Sequence, residues 1–570
     1  MQLLPRAAFV AACLFLLLFL TNSITSYSQN GNAAAATRTS VQSGNWHTAS
    51  TWQNGVVPSG NDNVVIASGT TVSLSADANG TGTITVEDGA IFDMRDNEAS
   101  AGTLIALDGS EVRQAGSRSY PAITASSIQL ALNSTYIYQG VNSSITDDVP
   151  HPTYGNLVIS GTGSNGSVYT SLTVNGNLTI YLSNSRELRL RPNATYNFGS
   201  LNITRGVFVL NGSSGTTTIN VAGDVLTSGT GTLRGTNSSG STVLNVGGSL
   251  TNNGVFQQDD GDSTGNFTVN FNGNSTQHIA GTNPIAFEQL TVSNAVGVAL
   301  DRDVSVDKTL TFSAGSINTD ESTLLLGCAG TIANAGEGRF VEGYLAKEFC
   351  ATGAFSFPVG TTTGYSPFSA NVTSLAANPS RLTVAAFEGA GPGVEAANSV
   401  SRFWNVIEDG DLTANLSFNY RDADVTSPAN EANYSLVKRE GNSAPSVVCT
   451  GAGCINAASN IATATGVSTF SLWSIGFPVA PSSAEAIVTG RVLTAEGRAI
   501  PNAFLTAIGS DGRIRYALAN PFGYFSFRGL AAGETYTVSI RSKSFEFASP
   551  VRVITLNDAE SHLDFVASAR

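Results

Sequence analysis

One pattern of apolar and polar residues keeps returning in this chain at a nearly fixed interval. It appears as Leu172-Thr-Val174-Asn-Gly176-Asn-Leu178, Tyr196-Asn-Phe198-Gly-Ser-Leu201, Ile219-Asn-Val221-Ala-Gly223-Asp-Val225, Leu244-Asn-Val246-Gly-Gly248-Ser-Leu250 and Val269-Asn-Phe271-Asn-Gly273-Asn-Ser275. The anchors Val174, Phe198, Val221, Val246 and Phe271 are 24, 23, 25 and 25 residues apart, and Val292 follows after 21. A period this short holds about three strands of three to five residues with their turns. One such unit cannot bury its own apolar face, but stacked copies bury it continuously. A meander would fit the strand lengths. A coil with strands stacked in parallel also explains why the same phase returns once per unit, with equivalent side chains about 4.8 Å apart. Val174, Phe198, Val221, Val246 and Phe271 are therefore expected to form one internal column. From about Asp62 to Leu326 there is room for roughly a dozen coils. The turns Asn175-Gly176, Asn211-Gly212 and Asn272-Gly273 are expected to stack their amides into hydrogen-bonded ladders.

Composition agrees with a coil that is dry inside and covered outside by small polar side chains. Charged residues make up 12% of 570, Gly accounts for 59, and hydrophobic residues reach 41%, enough to build cores. The balance of 28 Lys+Arg against 42 Asp+Glu, a net charge of −14, argues against nucleic acid or an anionic membrane as a partner.

At the N-terminus Arg6 precedes an apolar run from Ala7 to Leu20, and Ser26-Tyr27-Ser28 offers small residues for cleavage. The run is shorter than the roughly 20 residues that cross a bilayer, so residues 1–28 read as a signal peptide. The mature chain is expected to be exported, secreted or held at a cell surface, without a membrane span. Removing Cys13 leaves Cys328, Cys350, Cys449 and Cys454, an even number suited to an oxidising compartment. Three pairings are open, and local closure favours Cys328 with Cys350 and Cys449 with Cys454.

Two stretches resemble known families. Ser43-Gly-Asn-Trp46-His47-Thr-Ala-Ser-Thr-Trp52, with Pro58-Ser-Gly-Asn61-Asp62-Asn63-Val-Val-Ile66, resembles the opening of secreted bacterial surface β-helix proteins, which are adhesin-like. Segments Phe287-Glu-Gln-Leu290 and Gly315-Ser-Ile-Asn318 resemble their terminal coils. The likeness implies a right-handed parallel β-helix, here 41–330; because open coil ends need covering, Trp46 and Trp52 are read as a packed cap over the first coil in preference to a sugar platform. Longer strands with large aromatics then suggest a β-sandwich over 331–476, with Trp404 and Trp473 in its core. A Pro/Ser linker over 477–485 follows. Residues 486–567, with Val488-Thr-Gly490, Gly497-Arg-Ala-Ile500-Pro501 and Asn520-Pro-Phe522-Gly523-Tyr524-Phe525-Ser-Phe527, resemble the carboxypeptidase regulatory-like module, a transthyretin/Ig-like β-sandwich. That topology is grouped with carbohydrate-binding-like folds, so Tyr524, on the strand face opposite Phe525 and Phe527, is the ligand-contact candidate. The chain as a whole is thus read as all-β.

Catalytic patterns are sparse. Asn318-Thr319-Asp320 matches only the start of a polygalacturonase pattern, and no His-x-x-x-His pair or Gly-x-Ser-x-Gly elbow occurs. Asp259, Asp260 and Asp262 offer oxygens to Ca²⁺ but depart from EF-hand spacing, and a solvated acidic turn is the simpler reading. No other cofactor is expected. These features imply a non-catalytic structural or adhesive protein whose rod presents an outward ladder of short polar side chains, suited to weak, multivalent contact with an extracellular glycan or surface protein. The rival readings are a polysaccharide lyase or hydrolase on a β-helix, needing paired carboxylates on neighbouring coils, and a carbohydrate-binding protein acting through the C-terminal module.

Overall fold

The computed structural model describes residues 35–568 apart from 116–122, 140–152, 162–165, 169–170, 184, 262–263, 442–443, 480–484, 510–511, 532–533 and 557–559. The expected signal peptide, His151, Asp262 and most of the expected linker lie outside the described residues.

The first and largest part is a β-solenoid of about 13 turns over residues 37–347. Its strands stack in parallel in three ladders. In one, Val174 pairs with Phe198, Phe198 with Val221, Val221 with Val246, Val246 with Phe271, and Phe271 with Val292. A second runs through Phe92, Val112, Tyr136, Leu157, Leu178, Leu201, Val225 and Leu250. The third passes from Leu188 through Phe208 and Leu233 to Phe256. All the ladder residues named here are buried except Phe256, which packs partly buried against the same core. Strand alternation sends these side chains inward and their neighbours outward.

Turns between strands must let successive coils approach at backbone distance. Gly223 donates to the Gly199 carbonyl at 2.6 Å and Gly248 to the Gly223 carbonyl at 2.8 Å. A Cβ at Gly199 would sit 2.2 Å from the Asn175 carbonyl oxygen. No larger residue fits there without parting the coils.

Both ends of the solenoid are covered, as open strand edges require. At the start, Trp46 and Trp52 pack edge to face with centroids 5.2 Å apart, and the Trp52 indole donates to the Trp46 carbonyl at 2.6 Å. At the far end the strand Val341–Phe349 lies parallel to Ile317–Leu326 on one side and antiparallel to Ser380–Glu388 on the other. The expected boundary at residue 330 is therefore no break in hydrogen bonding. One strand belongs to both parts, and one apolar core runs from Trp46 to Ile475.

Beyond the shared strand, an antiparallel sheet continues through Val394–Asp409, Leu472–Pro478, Ser435–Arg439 and Ser446–Thr450. A five-stranded antiparallel sheet including Phe368–Leu375 and Leu412–Asn419 faces it. Trp404, Phe418 and Trp473 meet between them, with ring centroids 5.2–5.4 Å apart. Arg402, fully buried, is held by Asp424, which also takes Arg421 at 2.7 Å. Cys328 is bonded to Cys350 and Cys449 to Cys454.

The last part has two four-stranded sheets. One contains Glu485–Leu493 and Tyr524–Ala531, the other Ile514–Leu518, Phe504–Ile508, Thr535–Arg541 and Val551–Thr555. Its core, with Val488, Leu505, Phe525, Phe527, Val538 and Phe565, is separate from the long one. It touches the rest through the Tyr516 ring against Phe403 and through Lys543, whose amide donates to Glu321 at 3.4 Å.

Candidate functional site

The outward residue beside each internal anchor is where the repeat becomes chemistry. Thr173, Asn197, Asn220, Asn245, Asn270 and Thr291 are successive register partners on the outer face. Four of the six are asparagines, and their amides form a chain. Asn220 Nδ2 donates to Asn197 Oδ1 at 2.9 Å, Asn245 to Asn220 at 2.8 Å, and Asn270 to Asn245 at 2.9 Å; Ser293 Oγ closes it on Asn270 Oδ1 at 2.7 Å. An amide ladder was expected at the Asn-Gly turns, but it stands on the strands. At the turn, Asn211 is buried and bonds to the Gly215 and Ser241 carbonyls instead. A strand holds equivalent side chains at coil spacing, whereas turn lengths vary from coil to coil.

Asn220, Asn245 and Asn270 each use one N–H and one lone pair within the chain, and Asn197 uses one lone pair. One donor and at least one acceptor site per rung remain for a ligand. Beside this chain runs an open groove of about 460 Å³, lined by Thr173, Asn197, Asn220, Asn245 and Asn272 and floored by Gly199 and Gly247. The groove carries no formal charge. It offers alternating donors and acceptors at about 4.8 Å steps, which suits a repeating polyhydroxylated or amide-bearing surface.

Other residues singled out in the sequence stand apart from this groove. Tyr524 is 52% exposed and Phe522 69%, while Phe525 and Phe527 are buried. The Arg491 guanidinium lies 4.8 Å from the Tyr524 ring centroid and its Nε donates to the Phe522 carbonyl, so one face of Tyr524 is taken. Asp259 turns back on its own loop, accepting from the Gly261 amide at 2.7 Å, and Asp260 is exposed. Among the described residues no three His, Cys, Asp or Glu side chains come together as a metal would need. His278 pairs with Asp301 at 3.2 Å and His562 with Asp564 at 2.9 Å, both on the surface. Asp320 sits at an irregularity within the strand Ile317–Leu326, its φ at +47° and its amide donating to Asn318 Oδ1 at 2.9 Å, and the neighbouring Glu321 carboxyl is pushed up by burial. All four tryptophans are buried. The outward ladder of short polar side chains was legible in the repeat, but not the bonding of its asparagines to one another, because a polar residue between two apolar ones is what any half-buried strand shows.

No helix among the described residues is long and apolar enough to cross a membrane. No curated protein matches the sequence. Among solved structures, the C-terminal fragment of pilus adhesin SpaC from Lactobacillus rhamnosus GG is 11% identical, covering 29% of this chain and 75% of that one, with a TM-score of 0.13. The major pilin subunit BcpA of Bacillus cereus is 7% identical over 42% of this chain and 73% of that one, TM-score 0.13. A Mobiluncus mulieris adhesin with intramolecular disulfide, isopeptide and ester cross-links is 9% identical over 40% of this chain and all of that one, TM-score 0.12. Likeness at this level is distant and carries no functional weight. The family match is confined to the last part of the chain. Residues 487–568 match the carboxypeptidase regulatory-like domain, and the chain is a β-solenoid protein carrying that domain at its C-terminal side.

Proposed function

We propose that this is a non-catalytic extracellular protein that adheres to a repeating surface, a glycan polymer above all, along the asparagine groove of its solenoid. The observation that carries the reading is the chain of amides from Asn197 to Asn270, which repeats one weak contact instead of converging several groups on one atom. Repetition at fixed spacing multiplies weak contacts, so affinity rises steeply with ligand length. Two disulfides support a place outside the cytoplasm.

The test is binding of the full chain to a panel of polysaccharides and their short oligomers, with polymer length followed in parallel. Binding should grow with oligomer length and fall at least about tenfold in an Asn197→Ser, Asn220→Ser, Asn245→Ser triple variant. Shortening of the polymer by the pure chain would overturn the non-catalytic reading, and equal binding by the triple variant would remove the groove from it. A second reading rests on the neighbouring exposed rings of Phe522 and Tyr524, a small aromatic surface on the C-terminal domain. Under that reading Tyr524→Ala, and not the asparagine variant, abolishes binding.

A further inference from the structure

A cleft of about 670 Å³ lies between the antiparallel sheets and the carboxypeptidase regulatory-like domain, within the size range of sites that enclose small ligands. Its walls come from both sides. Residues 389–394, Pro445 and Pro478 form one wall, and residues 512–516 with Arg528, Glu534 and Tyr536 form the other. The cleft is held open beside a fixed contact. Tyr516 packs its ring 5.5 Å from Phe403 and donates its hydroxyl to the Glu388 carbonyl at 3.2 Å.

Its charge runs against the rest of the molecule. The chain carries 42 acidic residues to 28 Lys and Arg. Among the described residues lining the cleft there are four arginines, Arg439, Arg513, Arg515 and Arg528, and one acid, Glu534. Arg439 ends the strand Ser435–Arg439 on one wall, and the other three come from the opposite domain. Arg515 is laid over the Tyr536 ring, 5.2 Å from its centroid, which fixes the plane of its guanidinium. All four are Arg and none is Lys. A planar fork binds carboxylate or sulfate through two parallel hydrogen bonds, which an ammonium cannot do. Positive residues that line one volume from opposite walls suit a compact polyanion better than an extended strand. The small walls at Gly389, Gly391, Gly393 and Gly529 leave that volume unfilled.

We propose that this interdomain cleft is a second binding site, for an acidic saccharide of two or three rings bearing carboxylate or sulfate groups. That the ligand is a saccharide rests on the adhesive reading above; that it is a compact polyanion rests on the cleft alone. Binding bridges the two walls, so it also ties the C-terminal domain to the rest of the chain.

Titration calorimetry of the full chain tests this with digalacturonate, a trisulfated disaccharide, neutral digalactose, citrate and hexaglutamate as probes. At least one acidic disaccharide should bind, weaken as salt is raised, and lose about tenfold or more in Arg439→Gln/Arg528→Gln. The disaccharide that binds identifies carboxylate or sulfate as the recognised group. Arg528 is exposed, so Arg528→Gln alone leaves the fold intact and should already weaken binding. The solenoid variant Asn220→Ser/Asn245→Ser should leave these affinities unchanged, which separates failure of the groove from failure of the cleft. Digalactose binding as tightly as digalacturonate would overturn the proposal. So would citrate or hexaglutamate binding where both acidic disaccharides do not, or an arginine double variant indistinguishable from the parent.

Discussion

Asp424 is a carboxylate whose partners tie the stability of the antiparallel sheets to pH. Burial works to raise its pKa, but the hydrogen bonds and charges of Arg421 and Arg402 outweigh burial and hold the carboxyl below its usual range. A group depressed in the folded state contributes stability that is complete above its unfolded value, about 3.9. That contribution is lost as the pH falls through the lower folded value. Asp424→Asn should therefore be least stable relative to the parent near neutral pH and draw level with it in acid, read from melting curves across that range. Removing the acid leaves Arg402 buried without its counter-charge, a cost of about 3–5 kcal/mol. Val246 carries the matching test for the solenoid. It is fully buried between Val221 and Phe271. Val246→Asp should lose about 3 kcal/mol or more by burying an unpaired charge. An unchanged denaturation midpoint would place that residue on the surface.

Among elements, the asparagine ladder behaves as a single hydrogen-bonded chain with a direction, each amide donating to the coil before it. Asn245→Asp replaces a donor by an acceptor in the middle, so it faces the Asn220 oxygen with another oxygen. About 1–2 kcal/mol should be lost at neutral pH and partly recovered in acid, where a protonated carboxyl can donate; urea denaturation at two pH values checks this. The ladder also marks what could and could not be read in the sequence. Apolar anchors such as Phe198 and Phe271 were legible because a coil repeats their environment about every two dozen residues. The position before each anchor was legible only as part of an outward ladder of short polar side chains, and attention to turn chemistry placed the amide bonds at Asn175, Asn211 and Asn272 instead. The arginine cleft had no sequence signal. Arg439 and Arg528 are far apart along the chain and come to line one cleft only through the packing of two domains.

For the whole molecule, the division of cores matters more than the division of segments. The solenoid and the antiparallel sheets share one strand and one core, and the carboxypeptidase regulatory-like domain has its own. The expected separation near residue 480 has a physical basis that the one at 330 lacks. Deleting 484–570 should leave the rest folded with a closely similar melting transition, while reducing retention on the surface or target it binds. The excised domain should fold alone, giving a dispersed amide spectrum. By contrast, truncation at residue 330 should leave the last coil edge open and the product aggregated, as size-exclusion chromatography would report.

The covalent bond from Cys328 to Cys350 straddles the last coil, where rod and sheets are one body. For a rod that holds on to something, that position decides how it yields under tension. Coils touch only their neighbours, so a load applied at the Trp46 end peels them one after another, each releasing a short length of chain. Peeling that reaches Cys328 meets a bond that tension of this size does not break. In an optical trap the coils before Cys328 should unspool in small regular steps, while the span to Cys350, 22 residues on, stays closed and passes the load directly to the sheets. Added reductant should lengthen the final extension by that 22-residue span. Load on the rod passes around the last coil through one covalent bond, so the join between rod and sheets lengthens less than any other coil.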